Sequence, residues 1–379
     1  MAAARIDAQL ASLVRSLEAQ TRRPDEVLIV VPEGAGDARS LIASSSLDVR
    51  VVELAKDPGP MRARVFGGIA ASGRYVAFID SDCIAPPRWL ESMVAEAVRW
   101  RADAVAGSLA AANGDKFLSR AQDRSPIAPY PRHKRVLLSG DLDLKLVVAA
   151  NMLVDRAALF DERVIPSSYW RFGFEDLDFA YRLLATGRKI LCSPVLAYHY
   201  NRTSLLAVLK RYYEYGRGLP LFRRRCRGSL YSKAVTALTY SLVAILAVAA
   251  ILLASGRPAA AALPLAIAIS PFYAYHVPRA LRDGAERLLY PLVDFALAVA
   301  AAVGAVVGEV EVVSGRVEPR PGFEPGSSVG GAPSPAALAE RSLRGRRSTR
   351  LSYRGYRLRS EGVINLLARS GALGVTPAW

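Results

Sequence analysis

The chain has 379 residues, of which 52% are hydrophobic, and a formal net charge of +16. This length accommodates a complete α/β domain and further segments, and the basic charge favours anionic partners such as phosphate-rich substrates or acidic lipid headgroups. Nucleic acid is not expected as a partner, because no recognition motif accompanies the arginine clusters. Three widely separated cysteines, without a CxxC motif, argue against a zinc cluster or a disulfide framework.

The N-terminal part of the chain alternates between helical and strand-like patterns. Residues 8–20 and 61–71 have helical character, and residues 27–31, 49–54 and 75–79 are short apolar runs typical of strands. These runs are continuously apolar, as a parallel sheet that is covered on both faces requires. The alternation predicts an α/β, Rossmann-like domain with a mostly parallel sheet, whose ligands collect at the carboxyl ends of the strands.

An acidic pair, Asp80 and Asp82, directly follows the strand at residues 75–79. In extended backbone, residues i and i+2 point the same way, so both carboxylates can reach one ligand. Carboxylates can hold an anionic nucleotide diphosphate only through a divalent cation, and oxygen ligands suit Mg²⁺ or Mn²⁺. The same pattern also occurs in solvated turns after strands, so this pair alone leaves both interpretations open.

Three apolar segments in the second half are candidates for membrane spans: residues 235–253, 259–276 and 288–307. The third contains Asp294, and two or three spans remain open, with three favoured. A dense arginine stretch precedes the first span, so the positive-inside rule predicts a multi-pass protein of the cell membrane with its enzyme domain in the cytoplasm. With three spans the Arg-rich tail would lie outside the cell, and with two it would stay inside.

Residues 204–215 form a basic amphipathic pattern between the α/β domain and the first candidate span. Such a helix either lies on the anionic membrane surface or docks on the core with its charged face outward. The residues after 310 are rich in Gly, Ser, Pro and Arg, a composition typical of a disordered linker. We therefore predict an enzyme domain over residues 1–230, a membrane domain over 231–310 and a disordered basic tail over 311–379.

Several motifs in order resemble family 2 glycosyltransferases with the GT-A fold, over roughly residues 8–230. They are QTRRPDEV at residues 20–27, the segment from Gly59 to Leu90 around Asp80-Ser81-Asp82, AANM at 149–152, and FEDLD at 174–178. The resemblance implies a metal-dependent, inverting transferase that uses a UDP- or GDP-sugar. Membrane anchoring favours a lipid-linked or glycan acceptor. Since no Q-x-x-R-W motif follows Asp176, we expect a non-processive enzyme.

The resemblance also assigns roles to the two acidic motifs. It implies that Asp82 binds the metal at the diphosphate, that Asp80 contacts the sugar or ribose, and that Asp176 is the catalytic base. Repulsion from Glu175, the acid next to it, would raise the pKa of the base. Without the resemblance, Glu175 and Asp176 would also suit the first turn of a helix, where the macrodipole favours acids.

Three further residues are site candidates through the same resemblance. His199 is similar to a third metal ligand, although a lone histidine is as often only a hydrogen-bonded residue. Glu33 stands where relatives carry an acid that recognises the nucleotide base. Arg64 is a candidate for contact with the diphosphate, or alternatively belongs to a solvated helix start.

The sequence departs from the family pattern at its start. Relatives begin with a strand and a loop ahead of the first helix, whereas this chain starts almost at that helix. We therefore expect the first strand to be missing and one flank of the neighbouring strand to be exposed. The alternative function that this suggests is a catalytically impaired or inactive glycosyltransferase-like membrane scaffold.

Overall fold

The protein is described by a computed structural model, and the account covers residues 1–3, 6–32, 34–36, 39–54, 58–166, 173–316, 350–353 and 356–359. The strands in chain order are β1 Val27–Pro32, β2 Val49–Leu54, β3 Tyr75–Ile79, β4 Cys83–Ile84, β5 Ala104–Ala111, β6 Val136–Ser139, β7 Asn151–Asp155, β8 Lys189–His199, β9 Arg350–Tyr353 and β10 Tyr356–Arg359. The α-helices are α1 Ala8–Glu18, α2 Arg39–Ser44, α3 Pro60–Ala70, α4 Trp89–Trp100, α5 Phe117–Asp123, α6 Glu175–Ala185, α7 Leu205–Arg225, α8 Leu230–Ala254, α9 Pro258–Asp283 and α10 Tyr290–Val313.

The strands form two sheets, and the predicted α/β fold is confirmed. One sheet has the order β1-β2-β10-β9 and the other β3-β7-β5-β8-β4, with β6 also paired to β8. The sheets are mixed rather than mostly parallel: β1 with β2 and β5 with β8 are parallel, whereas β3 and β5 pair antiparallel with β7. The alternation of helical and strand-like segments predicted parallel strands joined by crossover helices. Antiparallel neighbours need no such helix, so this alternation did not indicate them.

The six-stranded sheet is covered on both faces, as its apolar strands require. Met152 and Val154 of β7 belong to a core shared with α3, α6 and α7, while Leu153 between them belongs to a core shared with α1 and α4. Ile190 and Leu191 of β8 divide between the two cores in the same way. Because side chains alternate across a strand, one sheet supplies the centre of both cores and fixes the ends of its strands.

We expected the first strand to be missing, and the structure agrees only in part, because a short N-terminal segment pairs with β1. Residues 1–3 run parallel to β1: the backbone N–H of Val30 donates to the carbonyl of Met1 at 2.9 Å, and that of Ala3 donates to the carbonyl of Val30 at 2.9 Å. This short segment occupies the flank of β1 that we expected to be exposed. Among the described strands none joins β1 to β3, so the sheet is divided at this point.

The C-terminal tail also contains structure that composition did not predict. Residues 311–313 are the last turn of α10, and β9 and β10 form a hairpin in which Leu358 and Arg359 pair with Leu54 and Glu53 of β2. Apolar and polar residues alternate in both short strands, a period that general composition hides. The rest of the tail lies outside the described residues.

The three apolar segments form the helices α8, α9 and α10. Each is long and apolar enough to cross a membrane, with α10 counted together with the short 3-10 helix Ala285–Leu289 before it. Helix α7 precedes them and is longer than predicted, because it continues past residue 215 through Pro220 to Arg225.

Candidate active site

The Asp80-Ser81-Asp82 motif lies in a tight turn between β3 and β4. The backbone N–H of Cys83 donates to the carbonyl of Asp80 at 3.0 Å, so the chain turns here and is not extended as predicted. Cys83 in turn pairs with His199 at the end of β8. The turn therefore carries the acidic pair to a histidine more than a hundred positions later in the chain.

Asp80, Asp82 and His199 form a compact group of potential metal ligands. One ligand atom from each residue lies within 4.8 Å of the others. The Nε2 atom of His199 is 3.3 Å from Oδ1 of Asp82, and its Nδ1 atom is 3.0 Å from Oδ1 of Asn201. An amide oxygen only accepts, so Nδ1 carries a proton, and Nε2 is the nitrogen that faces the carboxylates.

Asn201 fixes this orientation of the histidine ring. The side chain of Asn201 is buried, its Nδ2 donates to the carbonyl of Ser119 at 3.2 Å, and its backbone N–H donates to Oδ1 of Asn113 at 2.9 Å. Partners that hold the second nitrogen of a histidine in this way are typical of metal-binding histidines. Sequence reasoning missed Asn201, although its position two residues after His199 was a usable signal.

Arg64 lies between the two predicted acidic motifs. Its buried guanidinium forms an ion pair with Asp80, and its Nη1 atom is 3.7 Å from Oδ1 of Asp176. The structure therefore brings Arg64 to the site, but pairs it with carboxylates rather than leaving it in a solvated helix start. One cation is shared by two acids that come from different elements.

Glu175 and Asp176 form the first turn of α6, directly after Phe174, which has a positive φ of 75°. Glu175 is buried and accepts a hydrogen bond from the backbone N–H of Met61. Asp176 is half-buried, and its Oδ2 accepts from the backbone N–H of Ala149 at 3.0 Å. Of the two acids, Asp176 is the one that faces Arg64 and the acidic turn.

The two acids of α6 hold protons more tightly than free carboxyls do. Burial, with a further contribution from the charge of Asp176, raises the pKa of Glu175 to about 8. Burial also raises the pKa of Asp176, against the opposing charge of Arg64 and the Ala149 hydrogen bond. Displaced carboxyl pKa values of this kind are common in catalytic acids and bases.

The pair formed by Asp82 and His199 behaves in the opposite way. Burial would raise the pKa of Asp82, but the hydrogen bond and charge of His199 lower it below its ordinary value. Burial would lower the pKa of His199, yet its hydrogen bond and attraction to Asp82 raise it. Each group thus stabilises the charged form of the other: the Asp82 carboxyl loses its proton more readily, and His199 gains one more readily, than the free groups do.

Two further residues, Arg211 and Glu33, are also candidates for the site. Arg211 of α7 is near enough to Glu175 and Asp176 for its charge to lower both of their pKa values, and its guanidinium lies 4.5 Å from the ring centre of Tyr215. The sequence indicated Arg211 only as part of a basic stretch, since nothing local shows that α7 turns back over α6. Glu33, the predicted contact for the nucleotide base, lies outside the described residues.

The donor atoms suit a hard divalent cation. Two carboxylates and one neutral imidazole nitrogen converge from a turn and a strand end, and oxygen-rich sets of this kind fit Mn²⁺ or Mg²⁺. Arg64 connects Asp80 of this group to Asp176 of α6. The arrangement can therefore hold a cation on one side of Arg64 and a proton acceptor on the other.

The sequence of this domain matches a known family. Residues 7–160 match the model described as glycosyl transferase family 2. This region belongs to glycosyl transferase family 2. The match includes α1, the acidic turn and β7, whereas Asp176 and His199 lie beyond it. No curated protein sequence matches the chain.

Solved structures share the fold of this chain. The mannosyltransferase PcManGT from Pyrobaculum calidifontis, in complex with GDP-Man and Mn²⁺, is 18% identical with a TM-score of 0.50, over 80% of this chain and 85% of its own. TarS from S. aureus is 18% identical with a TM-score of 0.42, over 57% of this chain and only 38% of its own length. At these identities the likeness to PcManGT establishes the GT-A fold and leaves the activity open.

Proposed function

We propose that the chain is a membrane-anchored, metal-dependent, inverting and non-processive glycosyltransferase. It transfers a sugar from a UDP- or GDP-sugar to a lipid-linked or glycan acceptor. The observation that carries this proposal is the arrangement of two groups on either side of Arg64: the cluster of Asp80, Asp82 and His199, which could hold a metal ion, and the carboxylate of Asp176. The family 2 match and the GDP-Man and Mn²⁺ bound to PcManGT support it.

The proposed ligand side holds the donor. Asp82 and His199 would bind a divalent cation, Mn²⁺ or Mg²⁺, with Asn201 keeping Nε2 of His199 directed at it. We assign Asp80 to the sugar or ribose, and its ion pair with Arg64 fixes its direction. A bound cation supplies positive charge to the diphosphate oxygens, which stabilises the leaving group. We further expect Glu33 to contact the nucleotide base.

Asp176 performs the proton transfer in this proposal. Its carboxylate takes the proton from the acceptor hydroxyl as that oxygen forms its bond to the anomeric carbon and the bond from this carbon to the diphosphate oxygen breaks. A single displacement of this kind inverts the configuration. The proton then passes from Asp176 to solvent. Glu175, held by the Met61 N–H, is protonated at neutral pH and limits the negative charge beside the base.

The helices after the domain support attachment to the cell membrane. Three of them are long and apolar enough to cross a bilayer, and the basic residues of α7 stand just before the first. By the positive-inside rule, the catalytic domain lies in the cytoplasm, where nucleotide sugars are the expected donors. Residues 1–230 form the enzyme domain and residues 231–310 the membrane domain of this proposal.

Nucleotide release tests the proposal. The purified chain is incubated with UDP- and GDP-sugars and Mn²⁺, with and without a chelator, and is compared with Asp82→Ala and Asp176→Asn. We expect release that depends on metal and falls in both variants, whereas Asp115→Asn, a substitution at an exposed carboxylate, keeps full release. No release from the intact chain, or full release from both site variants, would support the inactive membrane scaffold instead.

A further inference from the structure

Helix α10 runs beside α7 in the same direction along most of its length. Near their first turns, Leu297 of α10 packs against Val208 and Tyr212 of α7. Further along, Gly304 lies against the backbone of Tyr213, and Gly308 lies so close that a Cβ there would be 2.6 Å from the carbonyl oxygen of Arg217. The order of these contacts is the same in both helices, so α7 and α10 share one orientation.

The two helices approach closely because each places a glycine against the backbone of the other. A Cβ added to Gly216 of α7 would collide with the carbonyl of Ala301, and one added to Gly304 would collide with the carbonyl of Tyr213. Such contact requires residues without side chains on both helices. Ala305 and Val312 of α10 also belong to the same core as α6 and the end of α7. Helix α10 is therefore packed into the enzyme domain.

Ion pairs fasten the last turns of α10 to α7. Glu309 accepts from Arg223 at 2.5 Å and from Arg224 at 2.8 Å, and Glu311 forms a two-point pair with Arg217. The first end of α10 is also attached to the α/β domain, since Glu286 pairs with Arg120 at 2.9 Å and the ring of Tyr290 lies 5.7 Å from that of Phe117. Both ends of α10 thus contact polar parts of the enzyme domain.

Helix α7 cannot cross a bilayer, because charged residues recur along its whole length. They are Lys210, Arg211, Glu214, Arg217, Arg223, Arg224 and Arg225. Each charge at the bilayer centre costs about 2.5–3.5 kcal/mol or more. Helix α10 has the same orientation as α7 and is only a few ångströms away, so it lies at the same depth.

We propose that α10 lies along the membrane surface beside α7 and does not cross the bilayer, and that only α8 and α9 span it. In the apolar stretch of α10 that is long enough to span a membrane, 39% of the residues are buried inside the protein. The corresponding share is 6% in α8 and 17% in α9. The face of α10 that remains exposed carries Val303, Val306, Val310 and Val313, which are spaced along one side of a helix. The lipid of the bilayer interface is the occupant of this stripe, because α10 packs beside α8 and α9, which themselves expose large apolar side chains.

A buried polar pair agrees with this arrangement. Nε2 of His276, near the end of α9, is 2.7 Å from Oδ2 of Asp294, near the start of α10, and both side chains are fully buried. With α10 at the surface, Asp294 is near the α/β domain rather than in the middle of the hydrocarbon. The aspartate that made the third span doubtful is then a docking residue.

Two crossings return the chain to the side of the enzyme domain. The pairing of β10 with β2 of the enzyme domain is a second, independent observation with the same meaning, since residues 356–359 can reach β2 only from that side. The tail after α10 therefore lies with the active site. This topology does not depend on transferase activity, so either conclusion can fail alone.

Cysteine labelling in sealed membrane vesicles tests the topology. The three native cysteines are buried and give a low background. Single variants Lys116→Cys, Ser255→Cys and Arg316→Cys report the enzyme domain, the α8–α9 turn and the end of α10 in the full chain. An impermeant maleimide should label Arg316→Cys from the same side as Lys116→Cys and Ser255→Cys only from the other. Labelling of Arg316→Cys from the same side as Ser255→Cys would overturn the proposal. Labelling of all three variants from one side would overturn it as well.

Depth measurements provide the second test. Nitroxide labels at residues 303, 306, 310 and 313, each introduced singly, should contact lipid at one shallow depth. Labels on exposed positions of α8, such as Leu238, Ile251 and Leu253, serve as the control and should differ in depth by about 1.5 Å per residue along the helix. A steady change of depth along α10 would overturn the proposal, as would spin–spin contact between chains in place of lipid contact.

Discussion

Two clusters of charged side chains, one at the active site and one between α7 and α10, differ in how their charges balance. At the active site, Asp80 and Asp176 share the single guanidinium of Arg64, and Glu175 and Asp82 lie nearby. Between the helices, Glu309 and Glu311 face three arginines. In the first cluster two carboxylates share one buried guanidinium, whereas in the second the arginines outnumber the carboxylates. Carboxylates that share one cation can take a further one, as a metal site requires, whereas carboxylates that each have an arginine of their own form a structural contact.

Asp176→Asn should give the largest effect and should confine it to activity. Removal of the base is expected to lower the rate of nucleotide release by roughly 10²–10⁴-fold, because an amide cannot accept the acceptor proton. The amide oxygen can still accept from Ala149, so the free energy of unfolding should change little. Steady-state kinetics and urea unfolding on the same sample measure both. If Asp176→Asn keeps its activity but has a lower free energy of unfolding, the active-site cluster is a structural contact like the one between α7 and α10.

Asn201→Ala should weaken the metal site without removing a ligand. Loss of the bond to Nδ1 frees the ring of His199, and we expect Mn²⁺ affinity to fall about 10–100-fold. Calorimetric titration with Mn²⁺ measures this, and Thr203→Ala at an exposed neighbouring position is the control. Unchanged Mn²⁺ affinity would mean that His199 does not bind the metal.

Glu309→Gln should affect stability rather than metal binding. Its carboxylate accepts from Arg223, Arg224 and the hydroxyl of Tyr240, and loss of its charge leaves two guanidinium groups facing a neutral amide. The pairs are partly buried, so the free energy of unfolding should fall by ~1–3 kcal/mol. Glu91→Gln, which changes an exposed carboxylate that contacts Arg88 and Thr21, should leave it nearly unchanged. Equal losses in both variants would show that the helix contact is ordinary surface charge.

The most gradual expected effect is the pH dependence that Glu175 gives to the free energy of unfolding. Its pKa is raised to about 8, so between its ordinary value and pH 8 the folded state holds a proton that the unfolded state has lost. The contribution of the protonated carboxyl is complete below the ordinary pKa and is lost as the pH rises through about 8. In metal-free protein, the free energy of unfolding should therefore decline between pH 5 and 8 by on the order of 3 kcal/mol, and Glu175→Gln should reduce this decline. A variant with the same slope as the parent would contradict the raised pKa.

Local sequence patterns predicted the elements better than their meeting points. The strands at residues 49–54 and 75–79 have the predicted bounds, since a short apolar run between turn residues needs no distant information. The approach of His199 to Asp82 depends on the pairing of β4 with β8, and Arg211 reaches the α6 acids only because α7 folds back. Neither contact has a local signature, and only the resemblance to relatives indicated His199.

The membrane segment shows the same limit in another form. By composition α8 and α10 are alike, and sequence reasoning favoured three spans. What separates them is the position of Gly304 and Glu309, whose contacts can be recognised only when Tyr213 and Arg224 of α7 are known to lie opposite. Hydropathy shows that a segment can be surrounded by lipid, but its packing against other helices decides whether lipid or protein surrounds it.

The hairpin of β9 and β10 has a consequence for handling the protein. Beyond β2, the four-stranded sheet has no other described neighbour on that side, so the hairpin covers an edge whose N–H and C=O groups would otherwise be open. Open edges recruit strands from other molecules. A chain shortened after residue 316 to remove its low-complexity end should therefore self-associate. We therefore expect the hairpin of β9 and β10 to protect this edge of the sheet from pairing with other molecules.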